Sequence, residues 1–188
     1  LSEDNYFMDI LSQFKTNKVV LLLMPGVDYV GISTNVIRSL SKYKVGYITL
    51  NKTCESLQET FQNKRIKQDN IIFIDAISQT IKQPKKIDRC HFVSSPGQLK
   101  SIASAMVKLM THKFDYIIFD SLTNLSVYKR KDAIAKFITV MANKAKESNT
   151  KLLFYGVGKK DDDVILKHTC TVVDEVIDLT TRSPRAYE

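Results

Sequence analysis

The chain has 188 residues, of which 44% are hydrophobic and 26% are charged. This composition is typical of a globular protein, and the length suits one domain with one hydrophobic core. The longest apolar run, residues 19–24, is far too short to span a bilayer, and the first residues lack the pattern of a signal peptide. Three widely spaced cysteines exclude a disulfide framework. We therefore expect a cytoplasmic protein without membrane attachment.

The formal net charge is +8 at pH 7. An excess of positive charge favours anionic partners, such as nucleic acid or another acidic surface. The alternative is a solvated, lysine-rich surface without a specific partner. The spread of the lysines along the whole chain favours this alternative.

Apolar runs of strand length recur along the chain. Several are apolar nearly throughout, such as IIFID and YIIFD, which is typical of parallel strands covered on both faces. The predicted strands are 18–24, 44–50, 70–75, 90–94, 115–120, 151–156 and 171–178.

Helical patterns separate these strands. Leu57 and Phe61 share one face of a segment over about 54–66, and the pair Ser95-Pro96 predicts a helix start. Two longer helices carry apolar stripes at i, i+3 and i+4 spacing. These stripes are Leu99, Ile102, Ala103, Met106 and Met110, and then Ile134, Phe137, Ile138, Met141 and Ala145. The alternation predicts an α/β fold that is doubly wound, with a mainly parallel sheet and helices on both faces.

Residues 1–188 are predicted to form a single domain. Within it, residues 1–17 have the pattern of an amphipathic lead-in helix packed on the sheet edge. Residues 81–89, IKQPKKIDR, predict a basic loop. The chain does not begin with Met, from which we expect an upstream segment.

The stretch MPGVDYVGIST lies between the first strand and the first helix. A phosphate-binding loop has this place and this spacing, with Gly26, four residues, Gly31, and Ser33 two positions further on. Ile32 stands where such a loop has lysine. Ser33 and Thr34, at the start of the predicted helix, retain the means to hold an anion. The alternative is an ordinary strand-to-helix turn that needs glycine.

Asp120 closes the apolar strand YIIFD. Doubly wound folds bind ligands at the carboxyl ends of their strands, and an acid at this place holds Mg²⁺ in phosphate-loop NTPases. The alternative is a helix cap or a turn. Each motif is weak alone, but both in this order predict a nucleotide-binding fold.

Four segments resemble the RecA/KaiC branch of the P-loop ATPases, in a divergent, archaeal-type form with a degenerate Walker A loop. GYITLNKTCESLQETF resembles the second strand and helix of KaiC-type proteins, and FDYIIFDSLTNLSVY resembles their Walker B strand. KLLFYGVG and VVDEVIDL resemble their last core strands. The resemblance covers residues 18–180 and implies a RecA-like fold. It also implies a vestigial nucleotide site at Gly26, Gly31, Ile32, Ser33, Thr34 and Asp120.

Three departures from the family pattern weaken phosphate binding or remove the base that activates water. Ile32 replaces a lysine whose charge-assisted contact with phosphate contributes about 1.5–3 kcal/mol to binding. The family's acidic pair after the second strand, one of which activates water, falls on Asn51 and Lys52, and neither side chain is a usable base. Glu55 is either a stand-in or a first-turn acid of the next helix. Asp28 adds a negative charge inside the loop, where it would repel a polyanion.

Basic residues occupy the loops after several predicted strands. Some members of the RecA-like family line a DNA channel with the loops after the Walker B strand and after the next strand. The residues at these places and in the basic loop are Lys85, Lys86, Lys129, Arg130, Lys131, Lys159 and Lys160. This match favours a nucleic-acid surface. The scarcity of interleaved aromatic residues favours the alternative, ordinary solvated helix ends.

Three functions stay open. The preferred one is a RecA/KaiC-like domain that does not hydrolyse ATP and has no cofactor. It would be regulatory or scaffolding, and would associate with itself or with a related ATPase subunit. The second is a nucleic-acid-binding module that uses the basic loops. The third is a protein that binds ATP and Mg²⁺, or hydrolyses ATP, with Lys52 or Lys159 in place of the missing lysine.

The histidines give no further site. His91, His112 and His168 share no spacing that predicts a metal centre or a catalytic triad.

Overall fold

A computed structural model describes residues 12–14, 16–159 and 163–181. The described strands form one sheet of seven strands in the order β4-β3-β2-β5-β6-β1-β7, and every neighbouring pair is parallel. The strands are β1 (Val19–Met24), β2 (Val45–Thr49), β3 (Ile71–Asp75), β4 (Cys90–Phe92), β5 (Tyr116–Asp120), β6 (Lys151–Val157) and β7 (Glu175–Asp178).

Helices connect the strands. They are α1 (Tyr29–Leu40), α2 (Cys54–Asn63), α3 (Ser78–Ile81), α4 (Leu99–Thr111), α5 (Leu122–Leu125), α6 (Lys131–Glu147) and α7 (Val164–Val172). None of the helices in the described ranges is long and apolar enough to cross a membrane.

The sheet divides the hydrophobic core into two layers, because alternate residues of each strand face opposite sides. Along β1, Val19 and Leu21 belong to the layer that contains the buried residues of α4, α6 and α7. Val20 and Leu22 belong to the other layer, with the buried residues of α1 and α2. This arrangement confirms the prediction of a doubly wound α/β fold with helices on both faces of a parallel sheet.

Two predicted boundaries are wrong. The last strand begins at Glu175 rather than at 171, because Thr171 and Val172 complete the last turn of α7. Helix α4 begins at Leu99 rather than at Ser95-Pro96. The backbone N–H of Gln98 donates to the carbonyl oxygen of Ser95 at 3.1 Å, so this pair forms a separate turn before the helix.

The predicted lead-in helix over 1–17 lies largely outside the described residues. Residues 12–14 and 16 are helical. Phe14 is fully buried in the layer of α1 and α2, and its carbonyl oxygen accepts a hydrogen bond from Lys151 Nζ at 3.0 Å. Of the predicted basic loop over 81–89, Ile81 is the last residue of α3, and residues 82–89 connect that helix to β4.

All strands run in the same direction, so their carboxyl ends meet at one edge of the sheet. This carboxyl edge carries the connections that follow each strand, among them 25–28, 50–53, 121 and 158–159. The fold therefore brings the first loop, Asn51, Lys52 and Asp120 to one edge of the sheet.

Candidate functional site

The connection between β1 and α1 is shorter than a phosphate-binding loop. The helix begins at Tyr29, so Val30 and Gly31 lie inside it, and only 25–28 remain as loop. The prediction of a loop over 25–33 is wrong because the residues between the glycines do not supply the positive φ angles of a phosphate nest. In the described chain, positive φ occurs at Arg65, Arg89, Lys113 and Gly158.

Neither loop glycine is required by space. A Cβ added at Gly26 would lie 3.7 Å from Val157 Cγ1, which is an ordinary contact, and one added at Gly31 would meet nothing within 4 Å. The alternative of a turn that needs glycine is therefore wrong as well. Residues 25–28 instead form a short turn that leads directly into helix α1.

The residues that should face a nucleotide face the protein. Ile32 is fully buried in the core layer of α1 and α2. The hydroxyl groups of Ser33 and Thr34 both donate to the carbonyl oxygen of Val30, at 3.2 and 2.6 Å. Ser33 and Thr34 thus lie one turn inside the helix, and the expectation that they form its N-terminus is wrong. Asp28 occupies the N-cap position, where a negative charge interacts favourably with the helix dipole.

Asp120 ends β5 as predicted and is fully buried. One carboxylate oxygen, Oδ2, accepts hydrogen bonds from the hydroxyl groups of both Tyr29 and Tyr47. The other, Oδ1, accepts from Asn51 Nδ2 at 3.3 Å, and the same amide nitrogen donates to the Tyr29 hydroxyl at 3.3 Å. We call these four residues the Asp120 cluster.

The Asp120 cluster forms because distant segments meet at the carboxyl edge. Tyr47 is fully buried on β2, the strand beside β5. Tyr29 is the first residue of α1, and the early start of that helix brings its ring over the strand ends. Asn51 follows β2, where the KaiC-type pattern has an acid. The amide can donate a hydrogen bond to Asp120, which a carboxylate in that place could not do.

Burial sets the protonation of the cluster. Desolvation raises the pKa of Asp120, while hydrogen bonds from Tyr29, Tyr47 and Asn51 act in the opposite direction. Desolvation, together with the nearby Asp120 carboxylate, also raises the pKa values of Tyr29 and Tyr47. Both phenols are therefore neutral donors at physiological pH.

A third tyrosine lies beside this cluster. Tyr155 is fully buried on β6, next to Asp120 in the register that pairs Phe119 with Phe154. Its hydroxyl group is buried and has no hydrogen-bond partner in the described part of the chain. Burial and the Asp120 carboxylate raise the pKa of Tyr155 as well.

Lys52 lies on the outer side of the cluster. Its ammonium nitrogen is 5.6 Å from the centroid of the Tyr29 ring, within the range of a cation–π contact. Tyr29 thus lies between this lysine and Asp120. Glu55 is exposed in the first turn of α2, which confirms the reading of Glu55 as a first-turn acid.

Of the predicted basic residues, those that follow β5 and β6 lie at the carboxyl edge, whereas Lys85 and Lys86 lie in the connection from α3 to the start of β4. Lys85 and Lys86 are exposed in the 82–89 loop, and Lys159 is exposed after β6. Lys129, Arg130 and Lys131 lead into α6, where Arg130 forms an exposed ion pair with Asp132 at 3.2 Å. Lys160 lies outside the described residues.

The remaining titratable residues form no second site. Within the described ranges there is no group of three His, Cys, Asp or Glu side chains placed to hold a metal ion. His168 Nε2 lies 3.0 Å from Thr139 Oγ1 in a contact between α6 and α7. Among the described residues, no disulfide bond links Cys54, Cys90 and Cys170.

Sequence reasoning found Asp120 and Asn51 but missed Tyr29, Tyr47 and Tyr155. The available signal was a tyrosine within an otherwise apolar strand, in GYITL and LLFYG. A buried phenol usually needs a hydrogen-bond partner, and Asp120 was the buried acid that could accept from it. Nothing in the sequence indicated that helix α1 would begin early enough to add Tyr29.

Comparison with known proteins bears on the fold. No protein-family model matches the sequence, and no curated protein matches it. A solved structure that is similar is the KaiC-like protein PH0186 from the hyperthermophilic archaeon Pyrococcus horikoshii OT3. The TM-score is 0.61 at 10% sequence identity, over 89% of this chain and 74% of that chain. At this identity the similarity concerns fold alone. The chain therefore has a KaiC-like, RecA-type α/β fold, as the sequence predicted.

Proposed function

We propose that this chain is a RecA/KaiC-like domain whose nucleotide site is filled by its own side chains, and that it serves as a non-hydrolysing regulatory or scaffolding protein. The observation that carries the proposal is the Asp120 cluster. An acid that would hold Mg²⁺ in an active relative is fully buried here and accepts hydrogen bonds from Tyr29, Tyr47 and Asn51.

Magnesium requires oxygen ligands in near-octahedral geometry at about 2.0–2.1 Å. In the Asp120 cluster both carboxylate oxygens already accept hydrogen bonds, and two of the donors are phenols that stay neutral. To reach Asp120, a metal ion would have to displace Tyr29. That displacement forfeits a hydrogen bond to a charged group, which is worth about 1.5–3 kcal/mol.

The β1–α1 connection supports the same proposal from the phosphate side. A phosphate-binding loop supplies backbone N–H groups in a nest and a lysine, and the described connection has neither, since Ile32 is in the core and none of residues 25–28 has a positive φ. Asp28 at the N-cap adds a negative charge at the place of the phosphates. The residues present therefore do not fit a magnesium nucleotide.

A turnover assay tests this proposal. We expect ATP hydrolysis by the purified chain to equal the buffer background, with and without Mg²⁺. Hydrolysis above background that is abolished by Asp120→Ala would refute the proposal. The same substitution controls for a contaminating ATPase, whose activity it would leave unchanged.

The second candidate function is nucleic-acid binding through the carboxyl edge. Its support is the placement of Lys129, Lys131 and Lys159 after β5 and β6 at one edge of a chain with net charge +8, with the exposed Lys85 near Thr53 and Glu55, which follow β2. Such binding should weaken steeply with salt, because neutralised phosphates release counterions.

Titration with single- and double-stranded DNA and RNA at low salt tests this second function. Lys85→Glu/Lys86→Glu and Lys129→Glu/Lys131→Glu should weaken binding, whereas Lys42→Glu/Lys144→Glu, away from the carboxyl edge, should weaken it less. Absence of any binding at low salt removes this function.

A cytoplasmic location and a partner of related fold stay predictions.

A further inference from the structure

A groove runs between helices α4 and α6, apart from the Asp120 cluster. Its volume is about 560 Å³. Three lysines, Lys100, Lys129 and Lys136, lie along it, and none of its lining residues is acidic. Its apolar surface is formed by Leu99, Ala103, Phe137, Val140 and Met141. The groove thus combines an apolar floor with lysine side chains and no acidic lining residue.

The positive charge of the groove is uncompensated. None of the three lysines forms an ion pair or a side-chain hydrogen bond with any described residue. Helix α4 also begins without a side-chain cap at Gln98 and without an acid in its first turn. Lys129 extends towards this helix end, since a Cβ added at Gly97 would lie 3.4 Å from Lys129 Cε. A cation beside the positive end of a helix dipole is unfavourable, and a bound carboxylate would relieve both charges.

The dimensions of the groove suit a short helix. Its apolar lining on α6 runs from Ala133 to Met141, which spans about 12 Å at 1.5 Å per residue. About two turns of a partner helix would cover that length, with apolar residues at i, i+3 and i+4 spacing facing the floor. Val140 is 40% exposed, so an apolar surface is available. The one aromatic residue of the lining, Phe137, is only 7% exposed, which leaves no ring on which bases could stack.

One segment of this chain has the matching chemistry. Residues 1–11, LSEDNYFMDIL, contain three acids and no basic residue, and Phe7, Ile10 and Leu11 have i, i+3 and i+4 spacing. These residues lie outside the described part of the chain, so the match rests on their sequence. We propose that the groove between α4 and α6 binds the acidic, apolar segment 1–11 of a second copy of this chain.

The position of residues 12–14 relative to the sheet indicates that the bound segment comes from a second copy. Phe14 is buried in the core layer of α1 and α2, whereas Phe137 and Met141 in the groove belong to the opposite layer. The described chain therefore begins, at residues 12–14, on the side of the sheet opposite the groove. This inference rests on the self-association part of the proposed function and does not depend on the loss of ATP hydrolysis.

Sedimentation velocity of the full chain over a series of concentrations tests the proposal. We expect reversible self-association that Lys129→Glu/Lys136→Glu weakens by about tenfold or more. The control Lys85→Glu/Lys159→Glu makes the same change in net charge outside the groove and should associate as the wild type does. A wild-type chain that stays monomeric at every concentration would overturn the proposal. A groove variant with unchanged association would overturn it too.

A charge exchange identifies the partner segment. Asp4→Lys/Asp9→Lys should abolish self-association, and mixing this variant with Lys129→Glu/Lys136→Glu should restore a complex of the two chains. Failure of the mixture to associate would contradict the pairing. If the groove variant instead loses DNA binding while self-association is unchanged, the groove belongs to nucleic acid and the proposal is wrong. The turnover assay is independent of all these outcomes.

Discussion

Asp75 and Asp120 end two strands that flank β2, and both pair in register with Thr49. Both carboxylates are fully buried, but their partners differ. Asp75 accepts hydrogen bonds from the backbone N–H groups of Cys54, Ile77 and Ser78, and from the Ser78 hydroxyl at 2.6 Å. Asp120 accepts from the side chains of the Asp120 cluster instead.

The difference separates an acid that is held by backbone donors from an acid that is surrounded by side-chain donors. Asp75 holds the starts of α2 and α3 through backbone donors, which are present in any sequence with this fold. The Asp120 carboxylate has no backbone donor among the described residues, and its hydrogen-bond partners are side chains that the sequence can change. We infer that Tyr29, Tyr47 and Asn51 occupy the space around an acid that the RecA-type fold places at the carboxyl edge.

The largest expected effect is at the acid that is held by backbone donors. Asp75→Ala would leave the buried backbone N–H groups of Cys54 and Ser78 and the half-buried one of Ile77 without an acceptor, so the free energy of unfolding should fall by about 3–5 kcal/mol. Urea denaturation measures this loss. Asp75→Asn keeps one acceptor oxygen and should lose clearly less. A loss below about 1 kcal/mol for the alanine variant would mean that Asp75 is not the cap described.

The second-largest loss of stability is expected when a phenol hydroxyl group is removed from the Asp120 cluster. Tyr47→Phe deletes a donor to a buried carboxylate and should reduce the free energy of unfolding by about 1.5–3 kcal/mol. Tyr29→Phe should cost less, because Tyr29 lies on the solvent side, where water can replace its hydroxyl group. Equal losses in urea denaturation would contradict this placement of the two rings.

The pH dependence of stability gives a smaller and directional test. Burial raises the pKa of Asp120 in the folded state, so the folded state binds this proton more tightly than the unfolded chain does. The contribution of Asp120 to stability is therefore greatest below the unfolded pKa, about 3.9, and falls as pH rises towards the folded value. Asp120→Asn removes this dependence. The stability of the wild type relative to the variant should thus decline from about pH 4 upwards, and parallel pH profiles would be evidence against the shift.

The smallest effect is expected at Tyr155. Because its hydroxyl group has no partner among the described residues, Tyr155→Phe should leave the free energy of unfolding unchanged or raise it by up to about 1 kcal/mol. The same chemical change at Tyr47 has the opposite sign, so the two variants form a matched pair. A loss at Tyr155 as large as that at Tyr47 would show that Tyr155 also donates to Asp120.

The fold was predictable because it depends on local patterns. Apolar runs such as YIIFD predict buried parallel strands, and Asp120 follows from its place at the end of one of them. The side chains around Asp120 were not predictable in the same way. The Tyr29 and Tyr47 hydroxyl groups reach Asp120 across 91 and 73 residues of sequence, and only the three-dimensional register brings them together.

The early start of α1 has a similar explanation. The spacing of Gly26, Gly31 and Ser33 predicted a loop, but glycine spacing is only part of what makes a phosphate nest. The intervening residues favour a helix once Tyr29 can bury its ring and donate to Asp120. The tertiary contact thus overrides the motif, and the sequence alone did not reveal that contact.

Isothermal titration calorimetry of the full chain with ATP, with and without Mg²⁺, tests the central claim most directly. The account predicts no binding heat under either condition, because the Asp120 cluster and the buried Ile32 leave no site for phosphates or metal. The account would be contradicted by magnesium-dependent ATP binding that disappears in Asp120→Ala. The contradiction would be complete if that binding also required Lys52 or another lysine, acting for the lysine that Ile32 replaces.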